Sequence, residues 1–280
     1  IGAAVGYLVL HNFIPVLNKI AGMMTGSYIG GGVNFVAVSS AFEIPADLIS
    51  AATVSDNLLM VLYFFVLILI PNVTFFKKHF KTSYSEDVEI KEQNNSTKVT
   101  VAVTDIAFTF ATAVVIVAIS FTLSKYIGSL GSSSIITFIS NKYLLVTTLT
   151  VGFASIFPKY FNSFNGANEI GTFLIYIFFV VIGIPASIEA IIEKSPLLLL
   201  FCAIMVFINM LVTFIAAKIL GFTLEEAILA SNANIGGPTT AAAMAISKGW
   251  QKLVAPSMLV GTLGYIIGTY IGILIGQYLG

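Results

Sequence analysis

The sequence predicts an all-α fold, a polytopic bundle of helices that cross a lipid bilayer. Of the 280 residues, 58% are hydrophobic and 9% are charged, whereas soluble domains carry roughly 25% charged residues. The apolar residues come in repeated runs of about 20, the length that an α-helix needs to cross a hydrocarbon core of about 30 Å. Runs such as residues 57–70 do not alternate in polarity, so they do not fit a transmembrane β-barrel.

Seven apolar runs predict helices, at residues 1–20, 46–70, 101–126, 143–157, 169–190, 196–220 and 252–278. Two further segments, 24–43 and 228–248, are of intermediate polarity and rich in Gly, Ser, Asn and Thr. Gly30-Gly31-Gly32 and Gly236-Gly237-Pro238 predict a break in each, because proline removes a backbone donor and glycine lowers helical preference. The acids that flank them are expected at solvated helix ends: Glu43, Asp47, Glu225 and Glu226.

Residues 71–100 predict a polar loop that divides the chain. Five of the thirteen lysines lie there, and the positive-inside rule therefore places this loop in the cytoplasm. The absence of arginine and the wealth of Ile, Phe and Asn indicate an AT-rich bacterial genome. The sequence thus predicts a multi-pass protein of the bacterial inner (cell) membrane.

An internal repeat is indicated when the chain is shifted by 206 residues. Segment 25–38 then aligns with 231–244, and four residues are identical: Ile29, Gly30, Gly31 and Ala37 meet Ile235, Gly236, Gly237 and Ala243. We therefore interpret 1–70 as the C-terminal part of a first repeat, 71–100 as the cytoplasmic loop and 101–280 as a second repeat. The first repeat lacks a counterpart of 101–206, so its N-terminal helices are expected to be missing.

The two broken segments predict a binding site. Irregular backbone at membrane depth is tolerated only inside protein or along a wet cavity, and half-helix ends offer N–H groups to anions and carbonyls to cations. A buried acid is a functional candidate by default, and oxygen ligands suit hard cations. The predicted cation ligands are Asp56, Asn34, Ser55, Asn57, Asn232, Asn234 and Thr239. The predicted solute ligands are Thr25, Ser27, Gly30, Gly31, Ser231, Gly236, Gly237 and Thr240.

Other classes of function find little support in the sequence. Thirteen basic and thirteen acidic residues give no net charge, so no nucleic-acid partner is expected. No enzymatic motif is present, and the single cysteine, Cys202, offers neither a disulfide nor a cysteine metal site. We expect no enzyme and no cofactor, and no metal beyond a coupling Na⁺; H⁺ is the other candidate coupling ion.

The stretches "TGSYIGGGVNFVAVSSAF" (25–42) and "ASNANIGGPTTAAAMA" (230–245) resemble signature stretches of the YjcL-like membrane proteins, domain-of-unknown-function family 819. The resemblance runs over the whole chain and implies a distant similarity to sodium/glutamate and bile-acid symporters. It further implies inverted repeats with crossed, discontinuous helices, and family members longer than this chain. The number of crossings stays open, because 143–157 or 228–248 can be re-entrant.

These observations favour a secondary active transporter that works by alternating access, with sodium-coupled symport of a small organic anion or an amino-acid-like solute. Two alternatives stay open. One is a cation/proton antiporter with Asp56 as the exchanged-proton site. The other is a non-transporting structural membrane subunit in which the small residues are packing seams between helices. The expected partners are the solute and the lipid bilayer, and a homodimer stays open as an assembly.

Overall fold

The computed structural model describes residues 1–82, 101–131, 136, 139–163, 165–167, 169–171, 173, 174, 177 and 188–280, with side chains from 196 onward in the last range. Within these residues all regular structure is helical. The chain divides into two units, residues 1–91 with 182–280, and residues 92–181. This division differs from the predicted repeats, because the first unit joins the beginning of the chain to its end.

The first unit begins with α1 (Gly2–Leu10), α2 (Leu17–Ala41) and α3 (Ala46–Leu69). The predicted run at 1–20 is therefore not one helix. Pro15 lacks a backbone donor and disfavours a helical residue before it, and Val16 has a left-handed backbone with φ 49°. Helix α2 begins directly afterwards, so the predicted segment 24–43 forms its continuation.

A 3₁₀ turn (Ile70–Asn72) and a short helix, α4 (Thr74–His79), follow α3. The prediction of a loop from residue 71 was therefore wrong at its beginning. Phe75, Phe76 and Phe80 give this part of the chain an apolar side that can pack, whereas the lysines of the same stretch had indicated only solvent. The rest of the predicted loop, residues 83–100, lies outside the described residues.

The second unit contains α5 (Val103–Gly128), α6 (Lys142–Ile156) and the single turn α7 (Pro158–Phe161). Asn141 begins α6, because its Oδ1 accepts the N–H groups of Tyr143 at 3.0 Å and Leu144 at 3.3 Å. Helices α5 and α6 pack against each other. Most of the predicted apolar run at 169–190 lies outside the described residues.

The first unit resumes with α8 (Ile188–Leu220), α9 (Leu224–Ile235), α10 (Pro238–Ser247), a 3₁₀ turn (Gln251–Leu253) and α11 (Val254–Tyr278). Helix α9 begins earlier than the predicted segment 228–248. Thr223 and Glu226 form a capping box, in which Thr223 N–H donates to Glu226 Oε2 at 2.8 Å. Glu225 is 4% exposed, so its predicted place at a solvated helix end was wrong.

A seam of glycines joins α2 to α11. A β-carbon on Gly22 would lie 2.6 Å from the carbonyl oxygen of Gly272, and one on Gly268 would lie 3.0 Å from the carbonyl oxygen of Gly26. Such close backbone approach is typical of helix pairs in membranes. Helix α8 packs on both α1 and α3, and α2 also contacts α1 and α9.

Four helical stretches of the described chain are long and apolar enough to cross a membrane: Ala46–Asn72, Val103–Gly128, Pro196–Leu220 and Gln251–Tyr278. Helix α6 is apolar but shorter. Many large apolar side chains on these stretches are exposed, Leu259 and Phe65 among them. This surface fits a solvent of lipid chains, so the chain is an all-α polytopic membrane protein.

Candidate functional site

The backbone leaves helical geometry at corresponding glycines in the two halves of the chain. In α2, Gly30 has φ −138° and ψ 16°, and Gly31 has φ 70° and ψ −162°. Between α9 and α10, Gly236 has φ −89° and ψ −16°, and Gly237 has φ 85° and ψ 177°. A positive φ with an extended ψ is open almost only to glycine. Gly31 and Gly237 therefore share one conformation, whereas Gly236 stays in the helical region and Gly30 does not.

Both interruptions meet one short stretch of α11. Gly264 packs on the backbone of Ile29 and Gly30, and a β-carbon on Gly261 would lie 2.6 Å from the nitrogen of Pro238. Because α11 carries no side chain at these two positions, the backbone of both segments can approach it. Both interruptions thus pack against residues 261–265 of α11.

Tyr265 lies between the two interruptions. A β-carbon on Gly31 would be 3.5 Å from Cε1 of its ring, and one on Gly237 would be 3.6 Å from its hydroxyl oxygen. Tyr265 was not among the predicted site residues, because a tyrosine in an apolar run carries no signal of its own. The spacing of Gly261, Gly264 and Gly268 is the signal that could have indicated a close helix contact there.

Asn34 connects the first interruption to α11. Its Nδ2 donates to the carbonyl oxygen of Tyr265 at 3.0 Å and to Thr269 Oγ1 at 2.9 Å. Its Oδ1 lies over Gly30 and has no hydrogen-bond partner in the described part of the chain, although the residue is only 1% exposed. A buried acceptor without a donor is costly, so this oxygen is available to a ligand.

The second interruption is held by its own side chains. Thr240 Oγ1 donates to Asn232 Oδ1 at 3.0 Å and approaches the carbonyl oxygen of Gly237 at the same distance. Asn232 Nδ2 in turn donates to the Thr240 carbonyl oxygen at 3.3 Å. Ser231 directly precedes Asn232, and its Oγ lies 2.7 Å from Tyr63 Oη in a buried contact. The polar groups of α9 and α10 are thus largely occupied in fixing the interruption and in contacting α3.

Asp56 lies inside the bundle at a junction of three helices. Its carboxylate faces the Tyr28 hydroxyl of α2, and both groups lie near Cys202 of α8. No fully formed hydrogen bond satisfies Asp56 Oδ1 or Tyr28 Oη among the described residues, although both atoms are buried. A carboxylate in this position needs a proton, a cation or a donor, since a lone buried charge is unstable.

A cavity of about 360 Å³ lies between α1, α2, α8, α9 and α11. Its polar lining comes from Thr25, Tyr28, Asn209, Thr213 and Asn234, and no acidic or basic side chain is part of it. The Oδ1 of Asn209 is buried and lacks a partner in the described chain. Asn209 was not predicted, because α8 reads as one continuous apolar run in which a single amide carries little weight.

The structure sorts the predicted site residues into several groups. Thr25 and Asn234 line the cavity. Gly30, Gly31, Gly236, Gly237 and Asn34 form the two interruptions, while Ser231, Asn232 and Thr240 hold the second one. Ser27 and Ser55 are buried, and Ser55 Oγ donates to the Ala51 carbonyl oxygen at 2.9 Å. Asn57 and Thr239 are exposed and contribute to none of these groups.

The side chains offer little to a transition metal. Within the described ranges no three His, Cys, Asp or Glu side chains come together as a metal site would require. The oxygens around Asp56, Tyr28, Asn34 and Asn209 are instead of the hard type that suits protons and alkali cations.

Comparison with known proteins gives a family and one relative of interest. The family described as "Protein of unknown function (DUF819)" matches residues 1–280. The chain is also 45% identical over 285 residues to a protein of Bacillus subtilis (strain 168) named "Uncharacterized membrane protein YjcL", and the match covers 99% of this chain and 72% of that protein. No solved structure gives a significant match.

Proposed function

The chain belongs to the DUF819 family of proteins of unknown function, and we propose that it is a secondary active transporter of a small polar solute. The coupling ion is sodium, and transport follows alternating access in the cell membrane of a bacterium. The activity is transport and not catalysis.

A single observation carries this proposal: two helical segments are interrupted at glycines of the same positive-φ conformation, Gly31 and Gly237, and both interruptions meet on residues 261–265 of α11. A membrane helix gives up backbone hydrogen bonds at such a point, which lipid cannot replace. Transporters built from repeats place paired interruptions at the solute site. A packing seam alone explains the glycines of α2 and α11, but it does not require positive φ at Gly31 and Gly237.

Asp56 is the proposed ligand of the coupling cation. It is an acid inside a membrane-length stretch, its Oδ1 is buried without a partner, and the neutral Tyr28 hydroxyl faces it. A sodium ion bound there would satisfy both oxygens. Because Tyr28 also lines the cavity, a cation bound between Asp56 and Tyr28 would contact a residue of the proposed solute site.

The cavity is the proposed solute site. It has room for a solute of a few non-hydrogen atoms, and its polar lining consists of neutral hydroxyls and amides. Among the described residues the buried Asn209 Oδ1 has no hydrogen-bond donor, and a solute that donates a hydrogen bond would satisfy it. Of the two solute classes that the sequence favours, this lining fits an amino-acid-like solute better than a pure anion, because the ammonium group donates hydrogen bonds.

Thermal unfolding of the purified protein with a panel of amino acids and small carboxylates, each with sodium or with potassium, tests the proposal. A solute that stabilises only in sodium is then used in uptake by proteoliposomes under a sodium gradient. The proposal expects uptake that collapses when the gradient is removed. Stabilisation by no solute, together with unchanged stability in sodium, would favour the structural subunit.

A cation/proton antiporter is the second candidate, and the position of Asp56 favours it specifically. A single buried carboxylate facing a tyrosine hydroxyl can exchange a proton for a cation without any organic solute. A pH-sensitive dye enclosed in proteoliposomes separates the two. Antiport predicts a change of internal pH when sodium alone is added, whereas sodium-coupled symport moves no proton and predicts no such change.

A further inference from the structure

A groove lined with aromatic rings lies between the C-terminal half of α8 and the segment that follows α3. It has a volume of about 450 Å³. Phe214 lies at its base, with ring centroids 5.4 Å from Phe76 and 6.0 Å from Phe80. Phe75 and Phe207 border the groove, and each is more than half exposed. The walls are therefore apolar and open to whatever surrounds the helices.

Basic side chains gather at one end of this groove. The Lys218 ammonium lies 5.6 Å from the ring centroid of Phe80, and Lys77, Lys78 and His79 form the last turn of α4. Lys218 and His79 belong to the groove itself. A cation over a ring is held in place electrostatically, so the Lys218 charge is fixed at the rim, while Lys77 and Lys78 do not line the groove.

Among the described residues, no acid lines the groove beside this charge. Residues 57–82 and 196–224 contain neither Asp nor Glu. Beyond residue 82 the next acids, Glu86 and Asp87, lie outside the described residues. Beyond residue 224 the next are Glu225, which is buried, and Glu226, which accepts the N–H and Oγ1 of Thr223. Neither lies in the groove. The basic rim therefore lacks a counter-ion from the described neighbouring residues.

The dimensions of the groove match one leaflet of a bilayer. From Phe207 to Ile219 a helix rises about 18 Å at 1.5 Å per residue, and half of a hydrocarbon core is about 15 Å. The basic rim lies where the membrane-length stretches Ala46–Asn72 and Pro196–Leu220 both end. An apolar channel of one leaflet's depth with cations at the interface has the shape and charge of an anionic lipid site.

We infer that this groove binds an anionic phospholipid, with one acyl chain along Phe207, Phe214 and Phe76 and the phosphate against the Lys218 ammonium at the rim. The lipid would hold α4 against α8. The segment after α4 is also tied to the start of α9, where the Leu224 N–H donates to the Lys81 carbonyl oxygen at 3.0 Å. This inference is independent of the transport proposal, since it concerns the outer surface of the bundle.

The test uses the purified full chain in detergent, to which phosphatidylglycerol or phosphatidylcholine with the same acyl chains is added. We expect phosphatidylglycerol to raise the unfolding temperature by several degrees more than phosphatidylcholine, and to remain bound in native mass spectrometry. Lys218→Gln should lose most of that difference, and so should Leu211→Trp, which fills the groove without changing charge. The control Lys252→Gln, at an exposed lysine outside the groove, should keep it.

Three results would overturn the inference: equal stabilisation by the two lipids, equal behaviour of Lys218→Gln and Lys252→Gln, or full stabilisation by glycerol 3-phosphate, which has the anion but no acyl chain. If Lys218→Gln does not fold, Leu211→Trp and the comparison of lipids on the unchanged protein still test whether the groove binds an anionic phospholipid.

Discussion

Gly31 and Gly237 share one backbone conformation, with φ 70° and ψ −162° in the first and φ 85° and ψ 177° in the second. They are the residues that the internal alignment, shifted by 206 positions, places opposite each other. Each is preceded by a glycine with negative φ, and each has Tyr265 as a neighbour. The two glycines thus agree in backbone conformation, while the internal repeat and the inverted arrangement of the two halves stay predictions.

Alanine at Gly237 or Gly31 should destabilise the protein. The positive φ at both positions is strained for any residue with a β-carbon, at a cost on the order of 1–3 kcal/mol. Thermal unfolding in detergent measures the effect. Gly32→Ala is the matched control, because no atom lies within 4 Å of its added β-carbon; equal loss in all three variants would contradict the account.

The glycine seam between α2 and α11 should tolerate no added methyl group. On Gly272 a β-carbon would lie 2.8 Å from the Gly22 carbonyl oxygen and 2.9 Å from Val38. Gly272→Ala therefore forces the helices apart, and overpacking of this kind costs about 1–3 kcal/mol. Gly152→Ala in α6, with open space around it, should unfold like the unchanged protein. If Gly272→Ala leaves the stability of the protein unchanged, α2 and α11 pack less closely than these distances indicate.

The buried pair Tyr63 and Ser231 should be coupled energetically. Their hydroxyl oxygens are 2.7 Å apart, and each single variant leaves a buried hydroxyl without its partner, at a cost of about 1–3 kcal/mol. In a double-mutant cycle of Tyr63→Phe and Ser231→Ala we expect a coupling energy of about 0.5 kcal/mol or more. Tyr278→Phe, at an 83% exposed tyrosine, controls for the loss of a hydroxyl; strictly additive effects would exclude the bond.

The sequence indicates the membrane class, the long apolar helices and the glycines at which the backbone departs from a helix, because each rests on local physics. Apolar length determines a span, and glycine with proline lowers helical preference wherever it stands. The same local signals explain the errors. Pro15 lies within an apolar run, so the run predicts one helix where the structure has two. The charge of Glu225 predicts exposure to solvent, but helix packing buries it.

The sequence does not predict which residues of different helices meet at the site. Tyr265 lies against both interruptions only because α11 crosses them there. The glycine spacing around it indicates a close helix contact, but glycines flank Tyr270 in the same way, so the spacing does not say which tyrosine lies at the site. Asn209 is a candidate site residue only because it lines the cavity. Asn57 and Asp56 are adjacent, yet helix geometry turns one outward and one inward. Which polar residues share a site depends on helix packing, and packing is encoded nonlocally.

Tyr265 should matter to transport through its ring. Tyr265→Ala removes the ring that lies between Gly31 and Gly237, and we expect it to reduce uptake at least tenfold. Tyr265→Phe keeps the ring and should retain most of the activity. Uptake by proteoliposomes, normalised to the amount of folded protein, measures both. If Tyr265→Ala transports as well as Tyr265→Phe, the meeting point of the interruptions is not part of the transport path.

The most direct test of the central claim is the binding of radioactive sodium to the purified protein. If Asp56 holds the coupling cation, the unchanged protein binds sodium saturably, and Glu43→Gln, at an exposed acid, does the same. Asp56→Asn then weakens binding at least about tenfold, or about 1.4 kcal/mol, while remaining folded. Saturable sodium binding that survives in Asp56→Asn, or none in the unchanged protein, would contradict the account.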